Sequence, residues 1–165
     1  MTLAEDLLSG NSLALTRLLT QVENDTPEGR ATLTELFPHT GAAHLIGVTG
    51  APGTGKSSLA NQLALHFRKQ ENRQVAIVAV DPSSPFTGGA VLGDRVRMRD
   101  LAGDPGVFIR SMGSRGQLGG LAGGSRLAAI AREACGYDVI LYETVGVGLG
   151  EVVVASEAVT VVLCL

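Results

Sequence analysis

The sequence lacks the features that would indicate a membrane protein, a zinc cluster or a nucleic-acid binder. Its 165 residues include no tryptophan, two cysteines and only 4% aromatic residues. No apolar run approaches the roughly 18 residues that a membrane-spanning helix needs. Cys135 and Cys164 lie far apart in apolar segments without a CxxC motif, which predicts buried free thiols. The formal net charge of −3 provides no basic footprint for a nucleic acid.

The first residues, Met1-Thr2-Leu3-Ala4-Glu5-Asp6, are acidic where a signal or transit peptide would be basic. We therefore predict a soluble, cytoplasmic protein with neither a membrane nor a nucleic acid among its partners. An anionic ligand must then be held locally, by a helix N-terminus, a few cations or a metal ion.

Helical periodicity dominates the first 40 residues. Apolar residues recur every three or four positions with a break at Gly10-Asn11, which predicts two short amphipathic helices. Thr26-Pro27 is a helix start signal, and a third helix is predicted over Glu28–Phe37. Residues 1–40 are too few to fold alone, so we expect this helical segment to pack on the edge of a domain formed by residues 41–165.

From Ala43 onward the pattern alternates between apolar strands and helices. The predicted strands are His44–Thr49, Gln74–Val80, Val107–Ile109, Asp138–Tyr142 and Val159–Leu165, and the predicted helices are Lys56–Gln70, Asp94–Leu101 and Gly124–Cys135. This order is typical of an α/β fold with a mostly parallel sheet flanked by helices, which binds ligands beyond the carboxyl ends of its strands. The last strand is apolar and no helix follows it, so we expect the sheet to be incomplete at the C-terminus, either by truncation or because another segment completes it.

One glycine-rich loop carries a specific chemical signal. The segment Gly50–Ser57 fits GxxxxGK[ST] between a strand and a helix, which is the P-loop that binds nucleoside triphosphates. Its backbone amides surround phosphate oxygens, Lys56 reaches the β- and γ-phosphates, and the Ser57 hydroxyl binds Mg²⁺. The predicted nucleotide-binding residues are Gly50, Ala51, Pro52, Gly53, Thr54, Gly55, Lys56, Ser57 and Ser58.

Three acidic residues follow predicted strands or loops and are candidate Mg²⁺ ligands. Asp81 either starts a turn before Pro82 or binds the metal at a strand end, and both interpretations stay open. Asp94 either caps a helix or reaches the metal from a switch segment. Glu143 follows an apolar strand and precedes Thr144-Val145-Gly146, a Walker-B/DxxG-like arrangement with Glu in place of Asp. There Glu143 would bind Mg²⁺ through water, and the Gly146 amide would sense the γ-phosphate.

Five arginines surround these loops: Arg95, Arg97, Arg99, Arg110 and Arg115. One of them could approach the phosphates as an arginine finger, and spacing does not select which. The alternative is that they are solvated or paired with acids.

Several motifs together extend the match beyond a generic P-loop. They are Gly47–Leu59, Val80–Pro85, Gly88–Met98, Phe108–Met112, Glu143–Gly148 and the leading Arg17–Asn24. In these segments the chain resembles the MeaB/ArgK family of GTPases. The resemblance implies Mg²⁺ held by Ser57, Asp81, Asp94 and Glu143, GTP and GDP as ligands, and Lys56, Asp94 and Gly146 as catalytic residues.

The resemblance also implies a partner. Members of this family are GTPase chaperones of cobalamin-dependent acyl-CoA mutases of the methylmalonyl-CoA mutase type, in which they gate cofactor loading and protect the enzyme. Their full-length form is implied to be a homodimer. An older family label instead describes a transport-associated kinase and ATPase.

The chain departs from the family in two respects. Leu149-Gly150-Glu151 stands where the family has Gln-Ser-Glu, and the guanine-reading NKxD motif lies beyond residue 165 in the longer family members. Two hypotheses therefore stay open: a Mg²⁺-dependent GTPase, and a truncated nucleotide-binding module with little or no hydrolysis. A nickel-insertion GTPase would need a His-rich or Cys/His site, which the sequence does not contain.

Overall fold

The computed structural model describes residues 2–81, 98–101, 103–113, 133–144, 154–156 and 158–165. Four helices and five strands are defined there: α1 Leu3–Leu8, α2 Ser12–Glu23, α3 Pro27–Leu36, β1 His44–Gly50, α4 Lys56–Glu71, β2 Val75–Asp81, β3 Val107–Gly113, β4 Val139–Thr144 and β5 Thr160–Cys164. Short 3₁₀ turns occupy Phe37–His39 and Arg99–Leu101.

The three N-terminal helices begin where capping side chains allow them to. Thr2 and Glu5 form a capping box at α1, and the Asn11 side chain accepts from two backbone amides at α2. Thr26 caps α3, with Pro27 in its first turn. The prediction of two short helices and a third is confirmed, with α3 starting one residue earlier than predicted and giving way to a 3₁₀ turn at Phe37.

The five strands form one parallel sheet in the order β3-β2-β4-β1-β5. The α/β fold and its parallel sheet are therefore confirmed. The predicted strands agree with the observed ones closely, with two exceptions. Strand β3 runs on to Gly113 because it pairs with β2 along its whole length. Strand β4 runs on to Thr144, so Glu143 lies within the strand, where it pairs with Ala79, and not after it. Of the helices predicted over Asp94–Leu101 and Gly124–Cys135, most residues lie outside the described part of the chain.

The sheet has two covered faces, which follow from strand alternation. One face packs against α4 through a cluster that includes Val75, Ile77, Val139 and Leu141. The opposite face packs against the N-terminal helices. Its strand residues Ala76, Val78, Ile140 and Tyr142 form one hydrophobic cluster with four leucines of α1–α3, which are Leu7, Leu15, Leu18 and Leu36.

The N-terminal helices thus lie on a face of the sheet, and the expectation that they pack on its edge is wrong. The physical reason is that the central strands β2 and β4 carry apolar side chains on both faces, and the second face needs a cover as much as the first. The division of the chain into residues 1–40 and residues 41–165 stays a prediction.

Strand β5 forms one edge of the sheet and pairs only with β1 among the described strands. Its side chains Val161 and Leu163 are 43% and 60% exposed. This agrees with the expectation of a poorly covered apolar edge. Within the described residues neither Cys135 nor Cys164 forms a disulfide, and both are half-buried where full burial was expected. Cys164 owes its exposure to its place on the edge strand.

An ion pair joins the C-terminal part of α4 to the turn before β3. The Arg68 guanidinium donates to both carboxylate oxygens of Asp104, at 2.9 and 3.0 Å, and also to the carbonyl of Arg73. Arg68 is 14% and Asp104 32% exposed at the side chain. The hydrogen bonds from Arg68 hold the pKa of Asp104 below its usual value.

We predict that Asp104→Asn lowers the free energy of unfolding at neutral pH by about 1 kcal/mol, because it removes a bidentate, partly buried ion pair. A carboxyl with a lowered folded pKa stabilises the fold above its unfolded pKa, near 3.9, and loses this effect as the pH falls through the folded pKa. The difference between parent and variant should therefore be constant above about pH 5 and shrink in stronger acid, as measured by urea unfolding across pH.

The control is Asp25→Asn, which breaks the exposed Asp25–Arg30 pair. That variant should unfold like the parent, since exposed ion pairs contribute little. A pH-independent difference for Asp104→Asn would contradict the assignment of its effect to the charge of Asp104.

Candidate nucleotide-binding site

The loop between β1 and α4 lies at the carboxyl end of the central sheet. β1 ends at Gly50, and α4 begins at Lys56 directly after Gly55, which provides no side-chain cap. The N-terminal amides of a helix carry a partial positive charge and bind anions when no side chain satisfies them. Ala51, Pro52 and Gly53 are exposed, so this helix end is open to a ligand.

Gly50 is required by the close approach of the edge strand. Its φ is +135°, and a Cβ placed there would collide with the carbonyl oxygen of Cys164, its register partner on β5. Gly53 also has a positive φ, +83°, but a Cβ there would meet no atom within 4 Å. The first glycine of the loop is thus held by packing and the second by backbone conformation alone.

Lys56 is buried at the base of this loop. Only 6% of the residue is exposed, and its ammonium donates to the carbonyls of Gly50 at 2.7 Å and Ala51 at 2.8 Å. These two bonds anchor a positive charge under the loop. An ammonium has three N–H donors, so one is left for an incoming oxygen.

Ser57 and Glu143 are 86 residues apart in the sequence and meet in the structure. The Ser57 hydroxyl donates to a carboxylate oxygen of Glu143, which is 6% exposed. Glu143 shares the alternation of Val139 and Leu141, so its side chain lies on the sheet face that α4 covers. A hydroxyl and a carboxylate are the hard oxygen ligands that Mg²⁺ prefers, so this pair fits the metal that a P-loop implies.

The other predicted ligands are described only in part. The backbone of Asp81 ends β2 at the same carboxyl edge, two residues beyond Ala79, which pairs with Glu143. Asp94 and Gly146 lie outside the described residues, as does Leu149-Gly150-Glu151. Thr54 donates its hydroxyl to the Ala51 carbonyl at 2.8 Å, and Ser58 is exposed in the first turn of α4. Within the described part of the chain, no group of three or more His, Cys, Asp or Glu residues could hold a metal, so the full ligand set stays a prediction.

Of the five arginines, Arg110 is directed away from this site. It lies on β3 and donates to the Thr16 carbonyl at 3.4 Å and the Thr20 hydroxyl at 3.2 Å, both on α2. Those helices cover the face opposite to α4, so Arg110 serves the N-terminal packing here. Arg99 is exposed in its 3₁₀ turn, and Arg95, Arg97 and Arg115 lie outside the described residues.

Comparison with known proteins agrees with this geometry. Residues 15–165 match the sequence model of the family described as methylmalonyl Co-A mutase-associated GTPase MeaB. The chain belongs to this family. The similarity predicted from the motifs is thereby confirmed.

Individual MeaB relatives match along almost the whole chain. A putative GTPase of Pyrococcus abyssi is 50% identical over 161 residues, which cover 98% of this chain and 49% of the relative. The GTPase ArgK of Escherichia coli is 44% identical, over 93% of this chain and 48% of the relative. A crystal structure of a LAO/AO transport system kinase matches 98% of this chain and 48% of its own, with 32% identity and a TM-score of 0.74. The chain thus spans about half the length of the relatives that it matches.

Two further findings concern the described residues. No helix in the described ranges is long and apolar enough to cross a membrane. In addition, the sequence interpretation missed Asn61, a polar residue of α4 that is only 7% exposed. Its signal was a polar residue four positions after Ser57, adjacent to Ala60 and one turn before Ala64.

We predict that Gly50→Ala lowers the free energy of unfolding by at least about 3 kcal/mol, because the new methyl group collides with backbone of β5. Gly53→Ala is the matched control. It introduces the same methyl group in the same loop without a collision and should cost only about 1 kcal/mol of backbone strain. Equal losses in chemical unfolding would contradict the role given to the contact between the loop and β5.

Proposed function

We propose that this chain carries the nucleotide-binding part of a Mg²⁺-dependent GTPase that serves a cobalamin-dependent acyl-CoA mutase. The observation that carries the proposal is that three groups lie together at the carboxyl ends of the strands. These are the buried Lys56 ammonium under the loop, the open N-terminus of α4, and the Ser57–Glu143 pair.

The loop would bind the β- and γ-phosphates. Lys56 already uses two of its donors on loop carbonyls, which fixes the ammonium in place before the ligand arrives and leaves a donor for a phosphate oxygen. The amides at the start of α4 add further donors, and Gly53 and Gly55 leave room for close approach of the phosphates.

Ser57 and Glu143 would hold Mg²⁺, Ser57 by its hydroxyl and Glu143 through water, with Asp81 and Asp94 as further proposed ligands. When bound, the ion neutralises charge on the phosphate oxygens. The Ser57–Glu143 hydrogen bond keeps both oxygens at one point of the sheet edge.

Hydrolysis would proceed by attack of water on the γ-phosphorus and cleavage of its bond to the β–γ bridging oxygen, releasing GDP and inorganic phosphate. Lys56 would stabilise the negative charge that develops on the bridging and γ-phosphate oxygens. Gly146 would contribute its amide to the γ-phosphate. These roles, and the catalytic role of Asp94, are part of the proposal.

We predict that Lys56→Ala weakens binding of a non-hydrolysable GTP analogue at least about 100-fold, because it removes a buried charge and its phosphate donor. The control is Lys69→Ala, an exposed lysine of the same helix, which should leave the affinity unchanged. Calorimetric titration with GTP analogue, GDP and ATP analogue, with and without Mg²⁺, measures both. Unaltered binding by Lys56→Ala would contradict the proposed site.

The alternative is a nucleotide-binding module with little or no hydrolysis. Two observations support this alternative: the chain matches only about half the length of its relatives, and apolar side chains of β5 are exposed. We expect Mg²⁺-dependent release of phosphate from GTP by this chain in a single-turnover assay. Tight binding without phosphate release would instead favour the module.

The partner is proposed from the family description, which links MeaB proteins to methylmalonyl-CoA mutase. Localisation in the cytoplasm and a homodimer in a full-length form belong to the same proposal. We expect a purified mutase of this class to bind the chain with an affinity that differs between GTP analogue and GDP, as measured by surface plasmon resonance. Binding that ignores the nucleotide would contradict a gating role.

A further inference from the structure

The side chain of Asn61 is an unusual occupant of its position. It lies on α4 beside Ala60 and close to Ala64, which belong to the apolar cluster between this helix and the sheet, and only 7% of the residue is exposed. Within the described part of the chain, its Oδ1 atom has no hydrogen-bond partner. A buried carbonyl oxygen without a partner destabilises a fold, and such atoms in native proteins commonly bind water or serve function.

Neither the helix nor the core explains the choice of asparagine. Asparagine is a weaker helix former than alanine or leucine. Leucine has a similar shape and would fill the same space without an unpaired polar atom. The position therefore favours an explanation outside folding stability.

The location of Asn61 indicates what that explanation is. Asn61 follows Ser57 by four residues, so the two side chains lie on one face of α4, a single turn apart. Helix side chains lean toward the N-terminus, which directs the Asn61 carboxamide toward the turn that carries Ser57. Ser57 in turn donates to the Glu143 carboxylate. A buried amide thus lies one helical turn from the residue of α4 that bonds to Glu143.

We infer that Asn61 is a positioning residue for Ser57 and Glu143, acting through one buried water molecule. The water donates one hydrogen to Asn61 Oδ1 and interacts with the Ser57–Glu143 pair, which satisfies the usual need of a buried water for two to four polar partners. Asn61 touches neither nucleotide nor metal. It holds the two oxygens in the orientation that receives Mg²⁺, and this inference rests on the proposed function.

The test is Asn61→Leu in the full chain. The denaturant midpoint of the nucleotide-free protein should stay the same or rise, because an unpaired polar atom is removed. The dissociation constant for a GTP analogue without Mg²⁺ should stay within about twofold, while the tightening produced by Mg²⁺ should fall about tenfold, equal to about 1.4 kcal/mol. The matched control is Gln62→Leu, the same kind of change at the exposed neighbouring position, which should alter neither affinity.

Two results would overturn the inference. In one, Asn61→Leu keeps the full effect of Mg²⁺; in the other, affinity falls equally with and without the ion while stability drops, as a purely structural residue would behave. Asn61→Asp provides a second variant that keeps an acceptor oxygen, and its Mg²⁺-dependent tightening should be at least that of the parent. If the parent itself binds no nucleotide, the proposed function fails and the inference fails with it. A result confined to the Asn61 variants bears on the inference alone and leaves the proposed function unaffected.

Discussion

The central strands β2 and β4 are buried on both faces, and most of the architecture depends on this constraint. Each strand carries apolar side chains at odd and even positions, so each face of the sheet must be covered. Helix α4 covers one face and α1–α3 cover the other. The helices at the N-terminus therefore share a hydrophobic core with the sheet that bears the candidate site, and Arg110 strengthens that contact through α2.

The same alternation determines which side chains meet at the carboxyl ends of the strands. Because Val139 and Leu141 face α4, Glu143 faces it as well, and it meets the first turn of that helix at Ser57. Two buried ionisable groups, Lys56 and Glu143, thus lie at the junction of the loop and α4. Burying charged groups opposes folding unless they are hydrogen-bonded, and the observed bonds to carbonyls and a hydroxyl offset part of that cost. Such an arrangement is characteristic of a site prepared for a charged ligand.

Membership of the MeaB family and the local geometry support each other at different levels. The family match covers residues 15–165 and explains why the loop, the strand order and the acidic residue near the carboxyl end of β4 occur together. The relatives are about twice as long, and the chain matches about half of them. Strand β5, with its exposed valine and leucine side chains, ends beside the first glycine of the loop, so the edge of the sheet and the candidate site are structurally linked.

The sequence by itself determined the local elements and the loop chemistry. Capping residues and periodicity predicted the helices, apolar runs predicted the strands, and the fixed spacing of Gly50, Lys56 and Ser57 predicted the P-loop, because each of these signals acts over a few residues. Tertiary structure alone decided that the N-terminal helices cover a face, that Arg110 bonds to α2, and that Asn61 is buried. These depend on strand order and on which side of the sheet each element packs, and contacts between residues so far apart leave no pattern along the chain.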